Sequence, residues 1–201
     1  MIERRPIGIF DSGIGGLTVA RAINDLLPNE SLLYFGDTAH LPYGEKSPEL
    51  IRRYSSRITQ HLVESGCKAI VVACNSASSN AIESIVKAAG PNMPVIDMVT
   101  PVIRSISAED GCQSVGLIGT RATIASGLYG ETMNQLNSNI TLVSRATPLL
   151  ASAIEEGFFN DSIPGAVLEA YFADDSFKNI DSMILGCTHY PLVRENVQAL
   201  L

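Results

Sequence analysis

The chain has 201 residues, 46% of them hydrophobic and 17% charged, with a formal charge of −7 at neutral pH. That balance fits a folded α/β protein with a real core and argues against disorder. It also argues against direct binding to nucleic acid or to a membrane surface, since both attract basic proteins.

Four cysteines, Cys67, Cys74, Cys112 and Cys187, are widely spaced and form no CxxC. Reduced thiols in a cytoplasmic protein are expected from that spacing, not a disulfide framework. No apolar run is long enough to span a membrane, and the short stretch Pro6–Phe10 runs into Asp11 before any secretory signal could form.

In chain order, Ile7–Phe10 reads as a buried strand, Asp11-Ser12-Gly13-Ile14-Gly15-Gly16 as a glycine-rich turn, and Leu17–Leu27 as a helix that stops before Pro28. Ser31–Phe35 is a second strand, Gly36–Gly44 a loop, Ser47–Glu64 a long amphipathic helix and Lys68–Ala73 a third strand. A helix over Ser76–Ala89 ends at Gly90-Pro91, and Pro94–Met98 is a fourth strand. The pattern then restarts: helix Val102–Ala108, strand Ser114–Ile118, turn Gly119–Thr123, helix Ile124–Leu136 and strand Ile140–Val143. Helices over Leu149–Glu156 and Ala166–Phe172, a strand at Met183–Leu185 and a helix over Pro191–Leu201 complete it.

The two halves echo one another. IGIFDSGIGGLTVARAI and VGLIGTRATIASGLYGE each read as strand, polar turn, helix, and AIVVACNSASS and SMILGCTHYPL each read as strand, cysteine, helix. We expect two pseudo-symmetric open-sheet α/β domains with parallel strands, residues 1–98 and 99–201, facing each other across a central cleft. Ligands of such sheets sit beyond the carboxyl ends of the strands, where Asp11, Asp37, Cys74, Thr120 and Cys187 all fall.

Gly13-x-Gly15-Gly16 is a poor nucleotide turn, being neither GxGxxG nor a phosphate loop; close helix packing is the plainer reading. A cysteine in an apolar strand is most often core. Cys74, however, ends its strand and precedes Asn75 and Ser76 at a helix start, where unsatisfied N–H groups are expected to lower the thiol pKa towards neutrality. Cys187 repeats the setting with Thr188 and His189. Cys67 and Cys112 lack it and are assigned to structure. Zinc lacks a ligand set of suitable spacing. A Cys–His hydrolase would use Cys187 and His189 but leave Cys74 idle. Inversion of a stereocentre uses both thiols, one to remove Hα from one face and one to protonate the other.

GIFDSGIGGLTV, GDTAHLPYG, VVACNSAS and LGCTHYPL, in this order, resemble the glutamate racemase family, cofactor-independent isomerases that make D-glutamate for bacterial peptidoglycan, cell-wall biogenesis and cell shape. The resemblance runs from Ile7 to about Val193. It implies that Cys74 and Cys187 are the acid/base thiols, with Asp11 beside Cys74 and with His189 and Glu155 on the Cys187 side. It further implies that Asp11, Ser12, Tyr43, Gly44, Asn75, Ser76, Thr188 and His189 hold the substrate, that Asp37 and Thr120 support the site, and that neither metal nor organic cofactor takes part. A homodimer is the assembly it allows. The family continues past the last helix with a segment that returns to complete the first domain; this sequence ends at Leu201, so that segment is expected to be absent. A racemase of aspartate or a related dicarboxylate, and a catalytically impaired binding protein of the same fold, are the rival readings.

Overall fold

The computed structural model describes residues 5–160 and 162–201. The chain divides into two compact units, Met1–Met98 and Val99–Leu201.

The first unit carries β1 (Ile7–Asp11), α1 (Leu17–Leu26), β2 (Leu32–Gly36), a 3-10 turn at Tyr43–Glu45, α2 (Pro48–Glu64), β3 (Ala69–Val72), α3 (Asn75–Ala89) and β4 (Val95–Ile96). All strand pairs are parallel, in the order β2-β1-β3-β4. Alternation of side chains along β1 builds a core on each face. Ile7 and Ile9 join Val71 and Ala73 beneath Val19, Ala20 and Ile23 of α1. On the opposite face Gly8 lets Leu62 of α2 and Cys67 approach so closely that a Cβ there would lie 2.9 Å from the Cys67 sulfur. Helix α2 starts cleanly because Ser47 accepts from Leu50 N–H and Pro48 occupies a first-turn position.

The second unit carries α4 (Thr100–Ser107), β5 (Ser114–Gly119), α5 (Arg121–Ala125), α6 (Leu128–Leu136), β6 (Thr141–Ala146), α7 (Pro148–Glu155), α8 (Ile163–Tyr171), β7 (Ser182–Gly186) and α9 (Arg194–Gln198). Its parallel sheet has the order β6-β5-β7. Val115 and Leu117 of β5 pack with Ile103 and Ile106 of α4 and Tyr129 and Met133 of α6. Ile118 belongs to a second core with Leu150 and Ile154 of α7, Leu168 of α8 and Val197 of α9. The mixed α/β architecture with two parallel sheets is as expected.

Several elements differ from the sequence reading. The helix expected over 124–136 is two helices, because Gly127 adopts φ 72° between them. The strand expected at 94–98 is only two residues long; Met98 N–H is taken by the Ser78 hydroxyl at 3.1 Å instead of by a strand. The strand expected at 140–143 runs on to Ala146, paired with Gly119. The helix expected over 191–201 is a 3-10 turn, Tyr190–Val193, followed by the short α9. Among the described residues no helix is long and apolar enough to cross a membrane.

Candidate active site

In each sheet the first strand lies between the second and the third, so the chain departs in opposite directions from β1/β3 and from β5/β7. Such a reversal opens a crevice beyond the strand ends. Cys74 follows β3 and Cys187 follows β7, so each sheet delivers one thiol to its own switch point.

Around Cys74, the pairing of Phe10 with Val72 continues through Ala73 N–H to Phe10 O, 2.9 Å. The next steps bring Asp11 and Ser12 alongside Ala73 and Cys74. Asp11 is fully buried, and its Oδ2 accepts from Gly13 N and Gly16 N, each at 3.1 Å. The turn that follows β1 thus cradles a carboxylate. Asp11 Oδ1 is buried with no hydrogen-bond partner, which is costly unless a ligand or water meets it. The turn is held by Tyr34 of β2, whose hydroxyl donates to Gly13 O at 2.9 Å. Burial and then the Asp11 charge push the Tyr34 hydroxyl well above its ordinary pKa, so it remains a donor.

Cys74 caps α3, its sulfur accepting from Ala77 N–H at 3.4 Å. The helix start does favour the thiolate, but the expected lowering of the pKa is wrong in sign. Burial, and next the Asp11 carboxylate, push Cys74 up to about 12; the Ala77 N–H and the Ser12 hydroxyl and N–H offset only part of this. The resting group is a neutral thiol. Asn75 and Ser76, the first residues of α3, are buried beside it. Tyr43 is buried as well, donates to Asp37 Oδ2 at 2.5 Å, and is raised by burial and by Asp37, with Cys74 contributing. Asp37 Oδ1 is met by His40 Nδ1 at 2.7 Å. Gly44 is buried next to Tyr43.

A consequence follows for reactivity. At neutral pH Cys74 should be alkylated by iodoacetamide far more slowly than a free thiol, with the rate rising as pH climbs towards about 12. Asp11→Asn removes one of the charges that disfavour the thiolate and should speed Cys74 alkylation at fixed pH, as read by peptide mass spectrometry; an unchanged or slower rate contradicts the assignment. The same shift costs stability in alkali. The contribution is fully present below the unfolded thiol's pKa of about 8.5, and is lost as pH rises from there, where only the unfolded chain releases the proton.

Around Cys187 the layout differs from the expected repeat. The thiol stands in a turn before the 3-10 segment, not at the cap of an α-helix. Its polar neighbour is His189 Nδ1, 3.5 Å from the sulfur. On the other side of the ring, His189 Nε2 is 3.1 Å from Glu155 Oε1, an ion-pair distance whose approach is not aligned for a hydrogen bond. Glu155 is the last residue of α7, and it, not Glu156 at the helix C-cap, makes the contact to the histidine. Cys187, Thr188 and His189 are all buried. Gly119 pairs with Gly186, so Thr120 and Cys187 leave adjacent strand ends. The Thr120 hydroxyl meets Thr123 N–H at 3.2 Å and caps α5.

The structure therefore gathers Asp11, Ser12, Cys74, Asn75, Ser76, Asp37, Tyr43 and Gly44 in the first unit. In the second it gathers Cys187, Thr188, His189 and Glu155, with Thr120 on the neighbouring strand end. Sequence reasoning missed the tyrosines that anchor these loops, Tyr34 and Tyr190. Tyr190 lies within LGCTHYPL and Tyr34 two residues before GDTAHLPYG, and that adjacency is the one signal the sequence offers for them. Among the described residues no group of three or more His, Cys, Asp or Glu side chains is placed to hold a metal ion.

Each unit is a parallel sheet covered by helices, with a buried cysteine just beyond a strand end, an architecture of the α/β class. Residues 7–201 match the family model described as Asp/Glu/hydantoin racemase. The chain is 44% identical over 199 residues to a glutamate racemase of Thermus thermophilus, covering 98% of this chain and 72% of that protein. It is 41% identical over 190 residues to a glutamate racemase of Geobacter metallireducens, covering 94% and 70% respectively. The crystal structure of the Francisella tularensis glutamate racemase in complex with D-glutamate superposes with a TM-score of 0.92 at 40% identity, over 98% of this chain and 74% of that one. The chain belongs to the Asp/Glu/hydantoin racemase family, isomerases of the amino-acid racemase class.

Proposed function

We propose that the chain interconverts L- and D-glutamate by proton transfer between two thiols, without an organic cofactor, and so supplies D-glutamate for peptidoglycan. The observation that carries this reading is the provision of one thiol per sheet, each beside its own proton-handling group: Asp11 next to Cys74, and His189 with Glu155 next to Cys187. Relatives that share 41–44% identity with the chain are named glutamate racemases, and the Francisella tularensis enzyme binds D-glutamate.

Inversion needs one thiol on each face of the α-carbon; Cys74 is assigned to one face and Cys187 to the other. When Cys187 removes Hα, its own proton goes first to His189, and Glu155 stabilises the imidazolium. Cys74, held neutral by burial and by Asp11, is ready to protonate the opposite face. The S–H bond of Cys74 breaks as the new Cα–H bond forms, and the electron pair left by Hα is used in that bond. In the reverse direction Cys74 first passes its proton to the Asp11 carboxylate beside it, the thiolate removes Hα from its own face, and the Cys187 S–H bond breaks as Cys187 protonates the other. Hα is a very weak acid, so hydrogen bonds to the substrate carboxylate must strengthen as charge builds on it. Ser76, Asn75 and Thr188, with the N–H groups at the start of α3, are the donors assigned to the two carboxylates. Asp11 Oδ1 is assigned to the ammonium, which would satisfy an oxygen otherwise buried without a partner.

Racemisation followed by circular dichroism, with aspartate run beside glutamate and no cofactor added, tests the substrate assignment. Turnover of glutamate well above that of aspartate is expected. Equal or faster turnover of aspartate would move the assignment to the rival dicarboxylate. A homodimer is carried with this reading, and sedimentation of the active species measures it.

A further inference from the structure

We infer that Tyr190 is a positioning residue for the Cys187 half of the reaction, its hydroxyl locking the loop that carries Cys187 and His189 onto the start of the helix that carries Glu155. The inference rests on the two-thiol reading above.

Tyr190 is fully buried, and its hydroxyl makes two contacts to a single residue: it lies 2.7 Å from Thr147 Oγ1 and donates to Thr147 O at 3.0 Å. A buried phenol needs one partner to avoid an unsatisfied hydroxyl; this one has a reciprocal pair. Thr147 stands at the N-cap of α7, where a threonine hydroxyl ordinarily accepts from the helix's own N–H groups. Here it makes no such cap and is turned towards Tyr190, with Gly119 O 3.4 Å away. The Thr147 hydroxyl thus serves the tyrosine, while Leu149 N–H in the first turn of α7 donates to the Tyr171 hydroxyl at 3.3 Å. Tyr190 N–H in turn donates to Cys187 O at 3.2 Å.

Helix α7 therefore grips the Cys187 loop at both ends, through Thr147 and Tyr190 at its start and through Glu155 and His189 at its finish. Burial and the neighbouring Cys187 sulfur keep the Tyr190 hydroxyl protonated, so the lock holds at any working pH. The contact it protects is a direct one: Cys187 Sγ and His189 Nδ1 are at hydrogen-bond distance for sulfur, 3.5 Å, and proton transfer deteriorates quickly with further separation.

Primary deuterium isotope effects on D- and L-glutamate labelled at Cα test this. When one side of a stepwise two-base inversion is slowed, its proton transfer becomes limiting. The isotope effect then rises for the enantiomer whose Hα that side removes and falls towards unity for the other. Cys187→Ser sets which enantiomer rises. Tyr190→Phe should lower kcat/KM by about tenfold to a hundredfold in both directions, with little change in KM and the same split. Thr147→Val should reproduce the split, and Thr147→Ser, which keeps the hydroxyl, should restore both values. A merely structural role would lower activity and leave the two isotope effects unsplit, and that result overturns the inference. If Cys187→Ser itself gives no split, the two-thiol reading fails and takes the inference with it. If Cys187→Ser splits the values and the Tyr190 and Thr147 variants do not, the inference alone fails. Should Tyr190→Phe not fold, Thr147→Val decides.

Discussion

Cys74→Ala and Cys187→Ala should each abolish racemisation in both directions, while Cys67→Ala and Cys112→Ala keep it. A closed catalytic cycle needs both thiols, because the one that removes Hα cannot deliver a proton to the opposite face. Loss of one positioned acid/base group costs roughly 10²–10⁴ in rate. The fold should survive either change. Cys187 contributes a small side chain to a core built mainly from Ile118, Leu150, Leu168 and Val197. Cys74→Ala forfeits one 3.4 Å sulfur contact at the start of α3. Far-ultraviolet circular dichroism checks the fold and polarimetry the turnover. Full activity in either of the first two variants, or its loss in Cys112→Ala, would reassign the chemistry.

Gly36→Ala should be nearly as damaging to activity, for a structural reason. A Cβ at Gly36 would lie 2.4 Å from the carbonyl oxygen of Gly13, a backbone atom that Tyr34 also grips. Neither partner can yield without moving the turn from Asp11 to Gly16, whose N–H groups hold the Asp11 carboxylate. Overpacking of this kind costs about 1–3 kcal/mol or more, which for a chain of this size is a fall in Tm of roughly 2–12 °C. Racemisation should fall with it, since Asp11 and Cys74 lose their relative placement. Gly130→Ala is the matched control: it lies within α6, its Cβ would meet nothing nearer than 3.8 Å, and it should stabilise by about 0.5–1 kcal/mol. Thermal melts of the two variants measure the contrast. A Gly36→Ala protein that melts with the parent would mean the turn is not held as described.

The alternation of strands and helices was legible because each strand is a short apolar run and each helix keeps an apolar face; Ile7–Asp11 and Pro48–Glu64 fall almost where periodicity places them. The strand-end position of both thiols was legible for the same reason. The ionisation of Cys74 was not. The helix start could be read from Asn75 and Ser76, but the opposing effects, complete burial and the Asp11 charge, come from tertiary packing and outweigh it. The loop anchors were hidden too: Thr147 and Tyr190 are 43 positions apart, and no local pattern links them. Glu155 was reached only through family resemblance; what distinguishes it from Glu156 is its place on the His189 side of the last turn of α7.

The central claim, inversion by proton exchange through two thiols, is tested most directly by incubating L-glutamate with the chain in D2O, with no cofactor added. D-glutamate formed in the first turnovers should carry one deuterium at Cα, because the proton delivered comes from a thiol equilibrated with solvent and not from the substrate. D-glutamate that retains its original protium, or no D-glutamate at all from folded protein, would contradict the account.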